Sequence, residues 1–144
     1  MKLTKKLIPF LFLPLLFLTS CGSGDAAKIA DSYHDLLKAN NYDKIADTKL
    51  SSDATSITTK SDWVGLFKWV GEELGDIKSI EKLSGFNSSM NNGVTTVTLR
   101  YQINYVDKSI MYERIILIRD GGEFEIAGIA WNSNLDELPM PKSN

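Results

Sequence analysis

The chain has 144 residues, of which 43% are hydrophobic and 24% charged, and its formal net charge is −2. These proportions are typical of one globular domain, and an acidic balance without a basic stripe argues against nucleic acid as a partner. One cysteine and one histidine leave no disulfide and no material for a histidine-based metal site or a Ser–His–Asp triad, so we expect no metal and no cofactor.

The first twenty residues differ sharply from this average. Three lysines precede an apolar run over residues 7–20, which two prolines interrupt. The run is about 14 residues long, whereas a membrane-spanning helix needs about 20. A basic start, a short apolar core and small residues at the end are typical of a secretory signal peptide. We therefore predict a signal peptide over residues 1–20.

The segment ends with the sequence Leu18-Thr19-Ser20-Cys21. An aliphatic residue, two small residues and a cysteine resemble the lipobox of bacterial lipoproteins. The resemblance implies that the Cys21 thiol receives a diacylglyceryl group and that the signal is cut just before it. Because each buried methylene contributes about 0.8 kcal/mol, two or three acyl chains anchor a protein stably. We therefore expect residues 21–25 to form a lipidated cysteine and a short flexible spacer.

The residue after the cysteine bears on localisation. Lipoproteins retained in the inner membrane of double-membrane bacteria typically carry Asp there, whereas this chain has Gly22. The resemblance thus favours the outer membrane, on its periplasmic or surface side, or the cell membrane in a single-membrane host.

The mature chain starts with helical patterns. Residues 26–39 carry apolar side chains at i, i+4, i+7 and i+8, which is the spacing of one helix face. His34 lies about 100° from the centre of that face, so we expect it at the edge of the core, without a catalytic role. Residues 42–47 predict a second, short helix.

A stronger helix is predicted after a polar, irregular connection over residues 50–60. Its range is 62–74, its apolar stripe includes Trp63, and Gly75 ends it. Trp69 points about 130° away from this stripe. Two interpretations of Trp69 remain open: it packs under the 50–60 connection, or it marks a contact with a partner, where exposed tryptophan is enriched.

From residue 76 onward the pattern changes to the period of two that is typical of strands. Four strands are predicted, over residues 76–87, 94–106, 109–119 and 123–132. Helices followed by an antiparallel meander indicate an α+β domain over residues 26–132, with two to three helices packed on a four-stranded sheet. Two prolines predict a loosely ordered tail over residues 133–144.

This order of elements resembles the nuclear transport factor 2-like superfamily. The likeness is carried by the first helical region (Ala26–Ile45), the Trp63 helix and the last strand (Gly122–Asn132). It implies a cone-like domain with the fold of ketosteroid isomerases and polyketide cyclases, a domain that is common in small secreted bacterial lipoproteins. Another sheet with helices on one face remains the alternative.

A strand register predicts a pocket in this cone. A two- or four-residue turn centred on Asp107-Lys108 places Arg114 opposite Tyr101 on the apolar face of the sheet and turns Glu113 outward. Gly128 then lies beside Arg114 and leaves room for a ligand. The candidate ligand-binding residues are Arg114, Tyr101, Tyr112, Tyr33 and Trp63. A solvated Arg114, from a wrong register, or a structural ion pair are the alternatives.

The same register turns a second set of apolar residues outward. Ile129 and Trp131, together with Ile115 and Leu117, form a patch on the outer face of the sheet. Many relatives of this fold dimerise through the sheet, so this patch and Trp69 are candidate interface residues.

These observations predict a membrane-tethered, non-catalytic binding or interaction module of the cell envelope, holding a small polar or anionic ligand in the cone. The expected partners are the lipid bilayer, through acylated Cys21, and a small ligand, an envelope protein or a second copy of the chain. One alternative is a structural or assembly subunit that acts through protein contacts. The other is an isomerase- or cyclase-like enzyme, for which the resemblance implies a buried carboxylate and a tyrosine donor. The predicted register places no carboxylate inward.

Overall fold

The computed structural model describes residues 22–141. Four helices precede the sheet: α1 (Ser23–Lys38), α2 (Tyr42–Thr48), α3 (Ser52–Ile57) and α4 (Lys60–Leu74). No helix in this part of the chain is long and apolar enough to cross a membrane. The predicted signal peptide and the lipobox with Cys21 lie outside the described residues, as do the last three residues of the tail.

Helix α1 begins earlier than the sequence pattern indicates. Gly22 precedes the helix with a φ of 43°, in the left-handed region that glycine adopts without strain. It is buried, and a Cβ there would lie 3.4 Å from Cζ of Phe124. Residues 23–25 are therefore part of a helix that is docked on the domain, and the predicted flexible spacer over 22–25 is not present as such.

A third helix replaces most of the predicted irregular connection. Ser51 caps it, because its Oγ accepts a hydrogen bond from the backbone N–H of Ala54 at 3.2 Å. The carbonyl of Ala54 in turn accepts a hydrogen bond from Nε1 of Trp63 on α4 at 3.2 Å. Trp63 therefore belongs to the packing between α3 and α4.

The sheet has five antiparallel strands, one more than predicted. They are β1 (Ile77–Lys82), β2 (Asn87–Asn91), β3 (Val94–Tyr105), β4 (Ile110–Arg119) and β5 (Glu125–Asn132). The long strand β3 pairs with β4 on one side and with both β1 and β2 on the other. The predicted strand 76–87 is thus interrupted after residue 82, and the chain passes Gly85, whose φ is 86°, before it continues alongside β3 as β2, in the same direction as β1.

The predicted register between β3 and β4 is wrong by one residue. The hairpin loop has three residues, 106–108, because the N–H of Tyr105 donates to the carbonyl of Ser109 at 3.0 Å. Lys108 supplies the left-handed position with a φ of 76°, a role in which glycine is the usual residue. The Oδ1 of Asp107 accepts a hydrogen bond from the N–H of Ser109 at 2.8 Å and holds this turn.

One residue of slip turns every side chain of β4 to the opposite face of the sheet. The face that packs against the helices, here called the cone face, includes Leu99 opposite Ile115 and Tyr101 opposite Glu113. The outer face carries Arg100 opposite Arg114 and Gln102 opposite Tyr112. The predicted positions of Arg114 and Tyr112 inside the cone are therefore wrong.

The predicted outer patch is also wrong. Ile129 pairs with Ile115, and Trp131 pairs with Glu113, so these residues lie on the cone face. Leu117, the remaining member of the predicted patch, is also buried there. A register shift between Ile116 and Leu117 changes the pairing between β4 and β5 that a simple hairpin predicts.

The C-terminal tail, residues 133–141, packs on the outer face of the sheet. It contains a short 3-10 helix (Leu135–Glu137), and Leu138 is 4% exposed. Nη1 of Arg114 donates a hydrogen bond to the carbonyl of Pro139 at 2.8 Å. The described part of the tail is thus more ordered than predicted.

Candidate functional site

A buried carboxylate lies at the centre of the cone face. Glu113 is 0% exposed, and its Oε1 accepts hydrogen bonds from the hydroxyl of Tyr33 at 2.8 Å and from Nε1 of Trp131 at 2.9 Å. Its Oε2 lies 2.6 Å from Nε2 of His34. These four residues are here called the Glu113 cluster.

Three elements bring the cluster together. Tyr33 and His34 are neighbours on α1, which lies across the sheet, and both are at most 3% exposed. Trp131 on β5 is the residue directly opposite Glu113 on β4. The sequence separations of about 80 and 18 residues show that only the tertiary fold assembles this site.

The cluster satisfies an ionised carboxylate. An indole N–H can only donate, and with the phenol and the imidazole it gives Glu113 three hydrogen bonds. Such bonds offset the several kcal/mol that burial of an unpaired carboxylate would cost. The arrangement therefore places a hydrogen-bonded carboxyl group in the core without contact to solvent.

A further tyrosine packs beside the cluster. The ring of Tyr101 meets that of His34 edge-on, with 4.5 Å between centroids. Its hydroxyl is buried and has no hydrogen-bond partner among the described residues. Tyr101 and Tyr33, both predicted for the cone, therefore lie together near Glu113.

The phenols of the cone stay protonated over the physiological range. Burial, and then the negative charge of Glu113, raise the pKa of Tyr33 well above its usual 10.0. Burial, followed by the charge of Glu113, raises the pKa of Tyr105 to about 12. Burial also raises the pKa of Tyr101, with the charge of Asp31 as the next cause. These residues therefore present neutral hydroxyl groups.

A cavity of about 250 Å³ opens between the C-terminal ends of α1 and α4 and the sheet. We call it the α1/α4 cavity. Aromatic and aliphatic side chains form most of its wall, including Leu37, Tyr42, Phe67, Val70, Tyr105 and Trp131. Lys38 and Asp76 lie at its exposed rim. Its volume is just below the usual range of about 300–1,000 Å³ for ligand sites, and its wall combines apolar side chains with polar groups, so it has room for a small molecule.

Trp131 connects the cavity with the Glu113 cluster. Its ring lines the cavity and packs edge-on against Phe67, with 6.0 Å between centroids, while its Nε1 donates to Glu113. Glu113 itself is not part of the cavity wall. A ligand in the cavity would therefore contact the cluster through the indole ring.

A glycine on α4 shapes another part of the wall. A Cβ at Gly71 would lie 2.5 Å from the hydroxyl of Tyr42, which donates a hydrogen bond to Oδ1 of Asn40 at 2.7 Å. Glycine is unfavourable inside a helix by about 1 kcal/mol relative to alanine. Its presence here makes room for the Tyr42 hydroxyl at the cavity.

The other predicted site residues lie elsewhere. Trp63 is 7% exposed and belongs to the α3–α4 packing, and Arg114 and Tyr112 lie on the outer face. Trp69 is 58% exposed, so it does not pack under the 50–60 segment. Whether Trp69 contacts a partner stays a prediction.

Glu113 and His34 were missed as members of a site for a definable reason. In the β4 sequence IMYERIILIR, apolar residues occur at both odd and even positions, so alternation does not decide which face is inward. His34 lies beside Tyr33 on a helix that presents a broad surface to the sheet. The Asp-Lys-Ser sequence of the β3–β4 turn was the signal available for the correct register, because Asp side chains often accept from the N–H two residues later.

Comparison with known proteins supports the fold. No protein-family model matches the chain, and no curated protein matches it. Among solved structures, the chain is similar to an NTF2-like protein from Cytophaga hutchinsonii ATCC 33406, with a TM-score of 0.50 and 9% identity. The match covers 74% of this chain and 93% of the other. The protein therefore has an α+β, cone-like NTF2-like fold, as predicted.

Proposed function

We propose that the protein is a membrane-tethered, non-catalytic binding module of the cell envelope that holds a small ligand in the α1/α4 cavity. The observation that carries this proposal is a cavity of about 250 Å³ with an aromatic and aliphatic wall inside an NTF2-like cone. The fold has both ligand-binding and enzymatic members, so the cavity, rather than the fold, supports the choice.

The wall of the cavity indicates the chemistry of the ligand. Tyr42 and Tyr105 present hydroxyl groups whose raised pKa keeps them neutral. The arginine that led us to expect an anionic ligand lies on the other face of the sheet. The ligand class is therefore a small molecule with an apolar body and a neutral hydrogen-bonding group.

The tether and the cavity lie at opposite ends of α1. The proposed lipidated residue, Cys21, comes directly before Gly22, whereas Leu37 and Lys38 at the other end of the helix line the cavity. A rise of about 1.5 Å per residue separates these ends by roughly 20 Å. The cavity then opens away from the bilayer, toward a ligand in the aqueous phase.

Native mass spectrometry of the full chain, expressed in a bacterium and purified in mild detergent, tests the binding function. We expect a reproducible adduct that is lost in Val70→Phe, which fills the cavity, and kept in Lys68→Phe on the exposed side of the same helix. An unmodified mass, or an adduct that persists in Val70→Phe, would contradict the proposal.

The tether is tested separately. We expect the protein to incorporate labelled palmitate when it is expressed in a bacterium, and Cys21→Ala to abolish the incorporation. Equal labelling of both forms would show that Cys21 is not the acylated residue.

The Glu113 cluster favours a second candidate function, an isomerase-like enzyme with a carboxylate base. Its Tyr33 contact of 2.8 Å supplies the buried carboxylate beside a tyrosine that the predicted register lacked. A base must reach within about 3 Å of the substrate proton, however, and Glu113 is fully buried behind Trp131. Exchange of the α-protons of cyclohexanone in D₂O, followed by NMR, tests this: the binding function predicts no exchange above buffer, and exchange that is lost in Glu113→Gln would favour the enzyme.

A further inference from the structure

Two arginines lie side by side on the outer face of the sheet. Arg100 on β3 is directly opposite Arg114 on β4, and their neighbours Leu99 and Ile115 point to the cone. Directly opposite residues have Cβ atoms about 4.5–5.5 Å apart, and like charges in that position destabilise a sheet. The pair therefore needs a neutralising partner.

The described residues provide no such partner. Neither arginine forms a salt bridge with a carboxylate of residues 22–141, whose ion pairs involve other side chains. The Nε atoms of both arginines are buried and have no hydrogen-bond partner there. The bond from Arg114 to the Pro139 carbonyl supplies a neutral acceptor to one guanidinium. At least two guanidinium donors thus remain unsatisfied, which is costly for buried groups.

The C-terminal tail partly covers this pair. The carbonyl of Pro139 lies over β4 at Arg114, and the carbonyl of Pro141 accepts a hydrogen bond from Nδ2 of Asn87 on β2 at 3.2 Å. Strand β3 runs between β2 and β4, so the tail crosses it. Thr98, the β3 residue opposite Asn87, is 1% exposed although it is on the outer face. Partial exclusion of water strengthens the attraction between a guanidinium and an anion.

We propose that Arg100 and Arg114 form a binding site for a phosphate group on the outer face of the sheet, beneath the tail. The planar guanidinium donates two parallel hydrogen bonds to phosphate oxygens, and a phosphate can accept from two guanidinium groups at once. Its negative charge also removes the repulsion between the paired arginines. Free phosphate and the phosphate of a lipid headgroup both present this chemistry. The site is separate from the α1/α4 cavity and does not depend on its ligand.

Titration of the full chain with inorganic phosphate, in detergent and followed by NMR of the arginine Nε–H groups, tests the site. We expect the Arg100 and Arg114 signals to move together as phosphate binds. Affinity should fall by about tenfold or more in Arg100→Gln and in Arg114→Gln, because each removes charge-assisted hydrogen bonds. Arg119→Gln is the matched control, since Arg119 is on the same strand but stacks 4.5 Å from the ring centroid of Phe124.

The source of the phosphate is distinguished by a second titration. The lipidated chain is held in a phosphate-free glycoside detergent and is titrated with phosphatidylglycerol. Movement of the two signals with phosphatidylglycerol and not with inorganic phosphate assigns a lipid headgroup, and movement with inorganic phosphate assigns a soluble phosphate. Unmoved signals in both titrations, or an equal loss of affinity in Arg119→Gln, would overturn the site.

The melting temperature in phosphate-free buffer distinguishes a phosphate-binding role of the arginine pair from a structural role. Because the pair repels, we expect Arg100→Gln to melt at the same or a higher temperature than the unmodified protein in phosphate-free buffer. A lower melting temperature that phosphate does not affect would mean that the arginines support the fold instead. The NMR titration of the unmodified protein decides the matter even where a variant does not fold.

Discussion

The two faces of the sheet differ in whether the fold supplies hydrogen-bond partners for their ionisable side chains. On the cone face, Glu113 is fully buried and receives hydrogen bonds from α1 and β5. On the outer face, Arg100 and Arg114 lie together with two buried Nε atoms that have no partner among residues 22–141. A charge that the fold satisfies itself supports structure, whereas charges that it leaves unsatisfied indicate a partner from outside. The difference separates a polar core from a candidate binding site.

Removal of the buried carboxylate should have the largest effect. Glu113→Ala leaves three buried donors unpaired, so we expect the free energy of unfolding to fall by about 3–5 kcal/mol. Urea unfolding measures this. Glu125→Ala, at an exposed position of β5, should change it by less than about 0.5 kcal/mol. Similar losses in the two variants would contradict the assignment of Glu113 to the cone face.

Removal of one donor should have a smaller effect. Tyr33→Phe keeps the ring but deletes a hydrogen bond to a charged group, so we expect a loss of about 1.5–3 kcal/mol in urea unfolding. Tyr112→Phe is the control from the outer face and should be close to neutral. If both tyrosines behaved alike, the Tyr33 hydroxyl would not be a partner of Glu113.

Alkaline pH should weaken the cone face selectively. The pKa of Tyr105 is raised from 10.0 to about 12 in the folded protein, and that of Tyr33 is also raised well above 10.0. Stability from these groups is complete below pH 10 and is lost as pH rises above it, because the unfolded chain releases these protons first. The slope is up to about 1.4 kcal/mol per pH unit for each tyrosine. Thermal unfolding measured at intervals between about pH 8 and 12 gives this slope. A flat profile through this range would be inconsistent with buried phenols.

The smallest effects concern the two sides of α4. Gly65 has open space around it, so Gly65→Ala should raise the free energy of unfolding by about 0.5–1 kcal/mol through helix propensity. Gly71→Ala should lose this gain, because its Cβ would meet the Tyr42 hydroxyl at 2.5 Å. Chemical denaturation of both variants gives the difference. Equal stabilisation would show that Gly71 does not shape the cavity.

The sequence was sufficient for the architecture but not for the site. Helical and strand periodicity predicted three of the four helices and the α+β class, because each amphipathic pattern is local. The site depends on a register, and Lys108 in a left-handed conformation set that register without a glycine to signal it. In β4, residues on both faces are apolar, so a one-residue slip carried no penalty in the pattern. The sequence analysis placed Arg114 inside the cone, whereas the structure places Glu113 there, and this error follows from the single turn at Lys108.

The orientation of β4 is the central claim, and the indole N–H signal of Trp131 tests it most directly. In a two-dimensional ¹⁵N–¹H spectrum, with the signal assigned by Trp131→Phe, the account predicts that Glu113→Gln moves this signal strongly and that Arg114→Gln leaves it in place. The reason is that Nε1 of Trp131 donates to Oε1 of Glu113 at 2.9 Å, while Arg114 points to the other face. A signal that responds to Arg114→Gln and not to Glu113→Gln would contradict the account.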